Sequence, residues 1–309
     1  MKITNKLGLP DMLVRAVERE YEYRPKRYSI TSLLDPDRVM MLKRRYNDEI
    51  EQDVSECIWM LFGTSVHYIL EKGVENKKKE NESVEEHLEY TFDSGYTLSG
   101  IIDHVDDYID DYKVTSVWTV IYGSNNDHWK KQLQMGAYLY YKEHGVWKDK
   151  GRIIAILKDW NKKEANKNIK YPALPTTTIE FDLGEPEEIE NWIIERFKQV
   201  ALLETLRDSE LPMCTLEERF NKGDKYAIKK RTFKKAMKLH DTLDEAREHL
   251  INLERKYPGE YEIEERPGED IKCLNYCSCC KFCNHYLENY DEEVREELKD
   301  YVDRYLESN

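Results

Sequence analysis

The spacing of apolar residues changes several times along the chain, which predicts a mixture of helices and strands. Residues 53–73 place apolar side chains at intervals of three and four, which predicts a helix. Residues 88–121 alternate β-branched and aromatic side chains with polar ones between turns, which predicts three or four strands. Helical spacing returns over 127–144 and 186–206, whereas the Lys- and Glu-rich residues 75–86 are interpreted as a solvated loop.

The rest of the chain continues this alternation. A continuous apolar run over 151–160 predicts a buried strand, and residues 176–183 predict another. Residues 224–240 predict a basic pair of strands, followed by a helix over 242–256 and a charged helix near 290–306. The pattern therefore predicts a mixed α/β protein.

Composition narrows the class of protein. The 309 residues allow one elaborated α/β domain with appendages, and 22 Tyr, 6 Trp and 7 Phe supply large core side chains. No stretch approaches the roughly 20 apolar residues that span a membrane, and the first residues lack the apolar region of a secretory signal. We therefore expect a cytoplasmic protein without a membrane partner. The net charge of −14 disfavours a protein that coats nucleic acid with its whole surface, but it leaves room for a local basic groove.

Candidate chemistry first appears around two aspartates. Asp103 ends one predicted strand, and Asp111 and Lys113 lie on the next. Residues i and i+2 of a strand point to the same face, so the Asp111 carboxylate and the Lys113 ammonium project together. Two converging carboxylates predict a site for Mg²⁺ or Mn²⁺, which prefer oxygen ligands. The alternative is an ordinary surface ion pair between Asp111 and Lys113.

Further motifs surround this pair in a fixed order. A glycine precedes a histidine by four residues on the predicted helix, a second glycine precedes the first aspartate by three, and a glutamine lies on the helix that follows. In this order the motifs resemble those of the PD-(D/E)XK nuclease superfamily, in its RecB/Cas4-like exonuclease branch. They stand here as Gly63 and His67, Gly100 and Asp103, Asp111 and Lys113, and Gln132. The branch often has a tyrosine four residues after the glutamine, where this chain has Gly136.

The resemblance implies a fold, an activity and a set of site residues. The fold is a restriction-endonuclease-like core with a mixed central sheet flanked by helices. The activity is metal-dependent hydrolysis of DNA, as an exonuclease of phage or prokaryotic type in replication, recombination or end-processing. The substrate is DNA, single-stranded or with free ends, with replication or recombination proteins as possible partners. The implied metal ligands are His67, Asp103, Asp111 and the carbonyl of Tyr112, and the implied catalytic residues are Asp103, Asp111, Lys113 and Gln132. A non-catalytic nucleic-acid-binding scaffold and an RNA-directed nuclease are the alternatives.

Five of the seven cysteines fall within residues 273–283, and this crowding predicts a metal site rather than disulfides. Four thiolates hold either a [4Fe–4S] cluster or structural Zn²⁺. The same nuclease branch builds a [4Fe–4S] cluster from three C-terminal cysteines and one distant cysteine. The distant ligand is either Cys214, in a loop, or Cys57, within a helix beside core residues. The C-terminal ligands are either Cys273, Cys277 and Cys283 or Cys277, Cys280 and Cys283. The expected ligand set is Cys214, Cys273, Cys277 and Cys283, with Cys279 and Cys280 as spare thiols.

A basic segment interrupts the acidic chain in its last third. Its lysines predict a stripe that binds phosphates independently of sequence, with a solvated charged hairpin as the alternative. We expect a nuclease core over residues 1–210, and a basic and cysteine-rich region over 211–309 that packs back on the core. The predicted nucleic-acid-binding residues are Lys229, Lys230, Lys234 and Lys235.

Overall fold

The computed structural model describes residues 1–18, 23–77, 79 and 81–290. Helices and strands alternate along these residues. The helices are α1 (Asp11–Val17), α2 (Ile30–Leu34), α3 (Asp37–Arg45), α4 (Ile58–Asn76), α5 (Val117–Tyr122), α6 (Asn126–His144), α7 (Lys162–Ala165), α8 (Pro186–Thr205), α9 (Leu243–Glu254), α10 (Ile271–Asn275) and α11 (Asn284–Asn289). The strands are β1 (Lys2–Thr4), β2 (Arg27–Ser29), β3 (Glu51–Asp53), β4 (Ser83–Thr91), β5 (Thr97–Val105), β6 (Ile109–Thr115), β7 (Lys150–Leu157), β8 (Thr176–Asp182), β9 (Lys225–Lys230), β10 (Ala236–His240) and β11 (Tyr261–Arg266).

The chain divides into two compact units. The first comprises residues 1–35 and 47–206, and the second comprises residues 36–46 and 207–309. The second unit therefore includes α3, although α3 lies in the N-terminal part of the sequence. That the C-terminal region packs back on the core stays a prediction.

A six-stranded mixed sheet forms the centre of the first unit. Its order is β2-β5-β6-β7-β8, with β4 paired to the other side of β5. β6 and β7 are parallel, whereas β4 and β5, β5 and β6, and β7 and β8 are antiparallel. Helices α4 and α6 pack against the sheet. This arrangement confirms the predicted mixed α/β core with a central sheet flanked by helices.

The sheet contains a gap along one side of β5. β2 pairs with β5 at Thr97–Ser99, and β6 pairs with it only at His104 and Val105. Residues 100–103 of β5 therefore face a space between β2 and β6. Asp103 is the last residue of this stretch, and Asp111 lies on β6. Both carboxylates therefore lie where β5 and β6 diverge.

Aromatic rings fill the core beside the sheet. Phe197 of α8 stacks on Tyr96 with ring centroids 5.2 Å apart, and it contacts the Phe92 ring edge-on at 5.4 Å. Phe92 in turn stacks on Tyr138 of α6. All four side chains are buried, and burying one such ring contributes about 1.5–3 kcal/mol to stability. The rings anchor α6, which carries Gln132, against the strands that carry the aspartates.

The second unit holds a three-stranded antiparallel sheet and the cysteine-rich segment. The strand order is β10-β9-β11, and α9 packs against the sheet through His249, whose ring lies 2.8 Å from His240. In α3, the buried Arg38 donates hydrogen bonds to the backbone carbonyls of Leu211 and Pro212. Tyr46 stacks on Phe282 with centroids 4.3 Å apart. These contacts join α3 to the segments around the cysteines.

Two of the expected elements differ in the structure. The predicted strands over residues 88–121 end at Thr115, and the following residues form helix α5. Ser116 caps this helix, Asp159 accepts a hydrogen bond from the Val117 amide, and Gly123 ends the helix in the left-handed conformation. The expected loop over 75–86 is also wrong at its end, because β4 begins at Ser83. The charged helix predicted near 290–306 lies almost entirely outside the described residues.

Among the described residues, we find no helix that combines the length and apolar character needed to cross a lipid bilayer.

Candidate active site

His67 and Asp103 meet at the diverging strands. The Nε2 atom of His67 lies 3.0 Å from the carbonyl oxygen of Tyr112, and its Nδ1 atom lies 3.4 Å from Asp103 Oδ1. Asp103 Oδ2 accepts a hydrogen bond of 2.7 Å from the Tyr112 amide. The peptide unit of Tyr112 therefore connects the α4 histidine with the β5 carboxylate, and its carbonyl faces the same site.

Asp111 and Lys113 lie on the same side of β6, as the strand period requires. Lys113 Nζ is 2.6 Å from Asp111 Oδ2, and Gln132 Nε2 donates a hydrogen bond of 2.6 Å to Asp111 Oδ1. Oδ2 of Asp111 is buried and accepts no well-oriented hydrogen bond, although it forms this ion pair. A buried carboxylate oxygen with spare acceptor capacity is suited to a further cation.

Glu85 is a third acidic residue of the site, and the sequence did not identify it. Its Oε1 atom lies 3.8 Å from His67 Nδ1, and the ligand atoms of His67, Glu85 and Asp103 all lie within 4.8 Å of one another. Asp111 is not part of this tight group. It adjoins the group through the Tyr112 peptide, which bonds to Asp103.

A cleft of about 390 Å³ opens beside these residues and is lined by Asp103, Asp111 and Gln132. Gly100 also lines the cleft. A Cβ atom at Gly100 would lie 2.5 Å from Ile30 Cδ1 and 3.2 Å from Leu139 Cδ1, so any other residue there would force these two side chains to shift. The absence of a side chain at Gly100 therefore leaves room for the Ile30 side chain of α2 beside the open side of β5.

The charges of the site fit a divalent cation. Hydrogen bonding to Asp103 raises the pKa of His67 against the opposing effect of burial, and burial together with Asp103 raises the pKa of Glu85. Burial raises the pKa of Asp111 to about 6, even though Lys113 favours its charged form. Burial and the nearby Asp103 carboxylate thus disfavour the charged forms of Glu85 and Asp111, and carboxylate and carbonyl oxygens are the ligands that Mg²⁺ and Mn²⁺ prefer. The ligand atoms of His67, Glu85 and Asp103 are close enough together to hold such an ion.

A second acidic group lies around the turn between β5 and β6, and the side chain of Arg152 already pairs with it. The ligand atoms of His104, Asp106 and Asp110 lie within 4.8 Å of one another. The guanidinium of Arg152 binds Asp110 at 2.6 and 2.7 Å and Asp106 at 3.1 Å. His104 bridges Asp110 and Glu82 at 2.8 and 3.0 Å. This network fixes the β5–β6 turn, and it thereby holds Asp103 and Asp111 in place.

The motifs of this site agree with a known nuclease family. A model of the PD-(D/E)XK nuclease superfamily matches residues 63–284, well over half of the chain. The chain belongs to the PD-(D/E)XK nuclease superfamily. The matched range includes His67, both site aspartates and the cysteine-rich segment. Members of this superfamily are typically metal-dependent phosphodiesterases that act on nucleic acids, with Mg²⁺ or Mn²⁺ at the active site.

Comparison with individual proteins adds little to this assignment. A solved structure titled "Crystal structure of SSO0001" has a TM-score of 0.43 and 16% sequence identity, and the match covers 61% of this chain and 82% of that chain. A likeness this weak carries no argument about function. No curated protein sequence matches the chain.

This superfamily member departs from the RecB/Cas4-like pattern at Gly136, where that branch often has a tyrosine. Gly136 lies on α6, and a Cβ atom there would meet Ile109 at an ordinary 3.8 Å. The nearby Tyr138 is fully buried and stacks on Phe92. Tyr138 is therefore a core residue that the site does not use.

The C-terminal cysteines line a single cavity in the second unit. The four predicted ligands Cys214, Cys273, Cys277 and Cys283 all lie there, together with Cys279 and Cys280. Burial raises the pKa of Cys214 to about 11 and that of Cys273 to about 12, so these two thiols stay protonated in the absence of a metal. Six cysteines around one cavity suit a thiolate-ligated metal centre, whose binding would release those protons.

The two candidate distant cysteines have different surroundings. Cys57 is fully buried in the first unit, in an apolar cluster with Val17 and Val54. Cys214 lines the cavity that holds the C-terminal cysteines. The surroundings of Cys57 are those of a buried structural thiol, which favours Cys214 as the fourth ligand.

The predicted basic stripe falls into two pairs of lysines with different surroundings. Lys229 forms ion pairs with Glu262 and Glu264 of the adjacent strand β11, and Lys230 lies 2.8 Å from Glu260. Lys234 and Lys235 are exposed in the connection between β9 and β10. The pairing of β9 with β11 brings three glutamates beside Lys229 and Lys230. The sequence alone did not reveal this division, because it does not show which strands pair.

One prediction concerns stability in the absence of metal. Because burial raises the pKa of Asp111 to about 6, its contribution to stability is greatest below the unfolded-state value near 4 and declines as the pH rises through 6. Asp111→Asn is therefore expected to raise the melting temperature of EDTA-treated protein at pH 8, and to change it less at pH 4. Scanning calorimetry at both pH values measures this effect. Asp107→Asn, in the exposed turn before β6, is the control and should change neither value. An equal loss of stability at both pH values would contradict the prediction.

Proposed function

We propose that the protein is a metal-dependent DNA nuclease that acts as an exonuclease. The observation that carries the proposal is the group formed by His67, Asp103, Asp111 and Lys113 at the open side of β5. It contains oxygen ligands for a divalent cation and a lysine ammonium directly beside them. The cleft of about 390 Å³ next to the carboxylates gives a phosphodiester access to the group.

In this proposal the residues around the cation have separate roles. Asp103, Asp111, His67 and the Tyr112 carbonyl hold Mg²⁺ or Mn²⁺. When bound, the ion lowers the pKa of a coordinated water and polarises the scissile phosphate. The hydrogen bond from the Tyr112 amide holds the Asp103 carboxylate, and Glu85 adds negative charge that favours cation binding.

Lys113 and Gln132 act on the substrate side and on the position of Asp111. The Lys113 ammonium offsets negative charge that develops on the phosphate oxygens as the bond to the leaving group lengthens. Its contact with Asp111 holds the side chain there before substrate arrives. Gln132 donates to the other Asp111 oxygen and so fixes the orientation of the carboxylate.

The experiment that tests the proposal is a degradation assay on single-stranded and double-stranded DNA labelled at either end. With Mn²⁺ or Mg²⁺ we expect loss of the labelled strand and release of short products, and with EDTA we expect none. Covalently closed circular single strands should resist degradation, because an exonuclease needs an end. Degradation of the circles would show that the protein is an endonuclease and not an exonuclease.

Two other functions are outcomes of the same assay. Preferential degradation of an RNA strand of the same sequence would identify an RNA-directed nuclease. Binding without cleavage at saturating metal would identify a scaffold that retains the nuclease fold. We favour catalysis over the scaffold because the Asp111–Lys113 pair is intact and lies at the cleft.

We further propose a [4Fe–4S] cluster held by Cys214, Cys273, Cys277 and Cys283. A zinc ion binds sulfur at about 2.3 Å, which places tetrahedral ligand atoms about 4 Å apart. Among the described residues, the groups whose ligand atoms lie within 4.8 Å of one another include none of these cysteines. The shared cavity supports a thiolate-ligated centre at these cysteines, with structural Zn²⁺ as the alternative.

The β9–β10 hairpin is our proposed accessory surface for DNA phosphates. Replacing Lys234 and Lys235 with alanine is expected to weaken DNA binding evenly across sequences. It should also flatten the dependence of log K on log salt, by up to about 0.9 for each duplex phosphate that the variant no longer neutralises. Replacing Lys229 and Lys230 should leave this slope nearly unchanged, because Glu260, Glu262 and Glu264 already neutralise them. Salt titrations by fluorescence anisotropy measure both slopes. An unchanged slope in the Lys234 and Lys235 variant would make the hairpin a solvated surface only.

The cellular setting follows from the proposed substrate. We place the activity in DNA replication, recombination or end-processing in the cytoplasm of a prokaryotic or phage-infected cell, where other replication or recombination proteins are the expected partners.

A further inference from the structure

Large aromatic side chains are exposed close to the active site, in the same unit. Trp59 of α4 is 64% exposed, and Trp118 and Tyr122 of α5 are 49% and 75% exposed. Exposed rings of this size leave much apolar surface in water, and a cluster of them marks an interaction surface more often than an isolated one does. Trp118 also contacts the buried Tyr171 edge-on at 6.2 Å, so one side of its ring is held by the first unit while about half of the side chain stays exposed.

Contacts connect all three rings to the end of β6, the strand that carries Asp111 and Lys113. The Nζ atom of Lys158 lies 4.4 Å from the centre of the Trp59 ring, and the Lys158 amide donates to the Thr115 carbonyl at the end of β6. Asp159 binds Ser116 and the Val117 amide at 2.6 and 2.7 Å, which fixes the start of α5 beside the same segment. Trp118 and Tyr122 then stack on each other with centroids 6.0 Å apart.

Helix α4 connects this surface with the metal ligands. Trp59, Gly63 and His67 follow one another at intervals of four residues, so they lie close to one stripe of the helix. Eight residues at 1.5 Å each separate Trp59 from His67 by about 12 Å along the axis. Between them, no atom lies within 4 Å of the place where a Cβ atom of Gly63 would be. The stripe is therefore open from the tryptophan to the histidine.

We propose that Trp59, Trp118 and Tyr122, with Lys158 against the Trp59 ring, form an aromatic platform that binds an unpaired DNA strand and directs it along α4 to the carboxylates. This inference rests on the proposed nuclease function and names its substrate class, which is single-stranded DNA or an unpaired end. Bases in a duplex are stacked on one another, so only unpaired bases offer a free face to exposed rings.

Charge distinguishes this occupant from a partner protein. The platform carries the Lys158 ammonium against its Trp59 ring, and α4 leads from that ring to a site where the Lys113 ammonium lies beside a carboxylate. Aromatic rings interleaved with cations bind single strands without sequence preference, because rings stack on bases while cations contact phosphates. The platform thus predicts a sequence-tolerant preference for unpaired strands.

The test measures binding in EDTA, so that it does not depend on cleavage. The probes are a fluorescein-labelled oligothymidylate, an abasic strand of the same length and a blunt hairpin duplex. Trp59→Ala and Trp118→Ala are each expected to weaken binding of the oligothymidylate about 5- to 150-fold, the range measured for loss of one base–aromatic stack. Both variants should bind the abasic strand and the duplex as the unaltered protein does.

Matched variants separate stacking from a general structural effect. Trp59→Phe retains a ring and is expected to retain most of the affinity for the oligothymidylate. Tyr68→Ala removes an equally exposed ring from the opposite side of α4, where Tyr68 is 59% exposed, and it should leave binding unchanged. Binding of the unaltered protein should also quench tryptophan fluorescence, and the abasic strand should not.

The outcomes distinguish this inference from the proposed function. Unchanged oligothymidylate affinity in both alanine variants would overturn the platform, even if the protein cleaves DNA. Ring-dependent binding in a protein that fails to cleave would support the platform and reject the nuclease. If the alanine variants instead alter self-association without altering strand affinity, the surface is a protein interface and the platform is wrong.

Discussion

Asp111→Asn is expected to reduce DNA cleavage about a thousandfold or more, because a cation that polarises the phosphate supplies several kcal/mol of transition-state stabilisation and each 1.36 kcal/mol is a factor of ten in rate. The substitution keeps the shape of the side chain and its hydrogen bond from Gln132. It removes the buried charge that pairs with Lys113 and faces the proposed cation. Single-turnover cleavage of end-labelled DNA at saturating Mn²⁺ measures the loss.

The interpretation requires a variant that is folded and a control that keeps its activity. Asp111→Asn meets the first requirement, since it should melt no lower than the unaltered protein at pH 8. Asp107→Asn provides the second, because it removes one carboxylate four residues away in an exposed turn. Cleavage at the unaltered rate by Asp111→Asn would contradict the assignment of the active site.

The local part of this site could be predicted because it depends on short-range periodicity. Asp111 and Lys113 are two residues apart on one strand, and the alternation of a strand is enough to bring them together. The observed distance of 2.6 Å between them agrees with that reasoning. The same holds for α4 and α6, whose apolar spacing indicated helices that carry His67 and Gln132.

Glu85 could not be found in this way, since its role depends on strand pairing. It lies in a Lys- and Glu-rich stretch that has the composition of a solvated loop. In the antiparallel register of β4 and β5, it lies opposite Asp103, between the pairs Val84–His104 and Glu86–Ile102. Its φ of 48° marks a local irregularity in β4, and no periodic pattern in the sequence indicates this position.

Two further features depend on contacts between distant residues. Residues 117–122 contain β-branched and aromatic residues typical of a strand, but a serine cap and hydrogen bonds to Asp159 favour a helix. Helix α3 belongs to the second unit, although its neighbours in sequence belong to the first. The buried Arg38 of α3 donates to backbone carbonyls more than 170 residues away. Hydrogen bonds over that separation leave no local signal.

The second large effect is expected at the cysteine cavity. Anaerobically purified protein should be brown and absorb near ~400 nm, as thiolate-ligated iron does. Cys283→Ala should remove this absorption and lower the melting temperature of the second unit by about 10 °C, because a metal centre that binds only the folded state stabilises it by several kcal/mol. Cys283 lies 4.0 Å from the buried Arg38 of α3, so its loss also weakens the attachment of that helix. Elemental analysis measures the loss of the iron that gives the absorption, and calorimetry measures the change in melting temperature.

The other cysteines supply the controls for this prediction. Cys279→Ala and Cys57→Ala should retain the colour. The first residue is expected to be a spare thiol, and the second is buried in an apolar cluster of the first unit. Cys214→Ala should lose the colour as Cys283→Ala does, because Cys214 shares the cavity with the C-terminal cysteines. Loss of colour in Cys57→Ala but not in Cys214→Ala would reverse the choice of distant ligand. Stoichiometric zinc without iron would replace the cluster with a structural zinc site, while the destabilisation by Cys283→Ala would remain, because either metal would bind the same folded cavity.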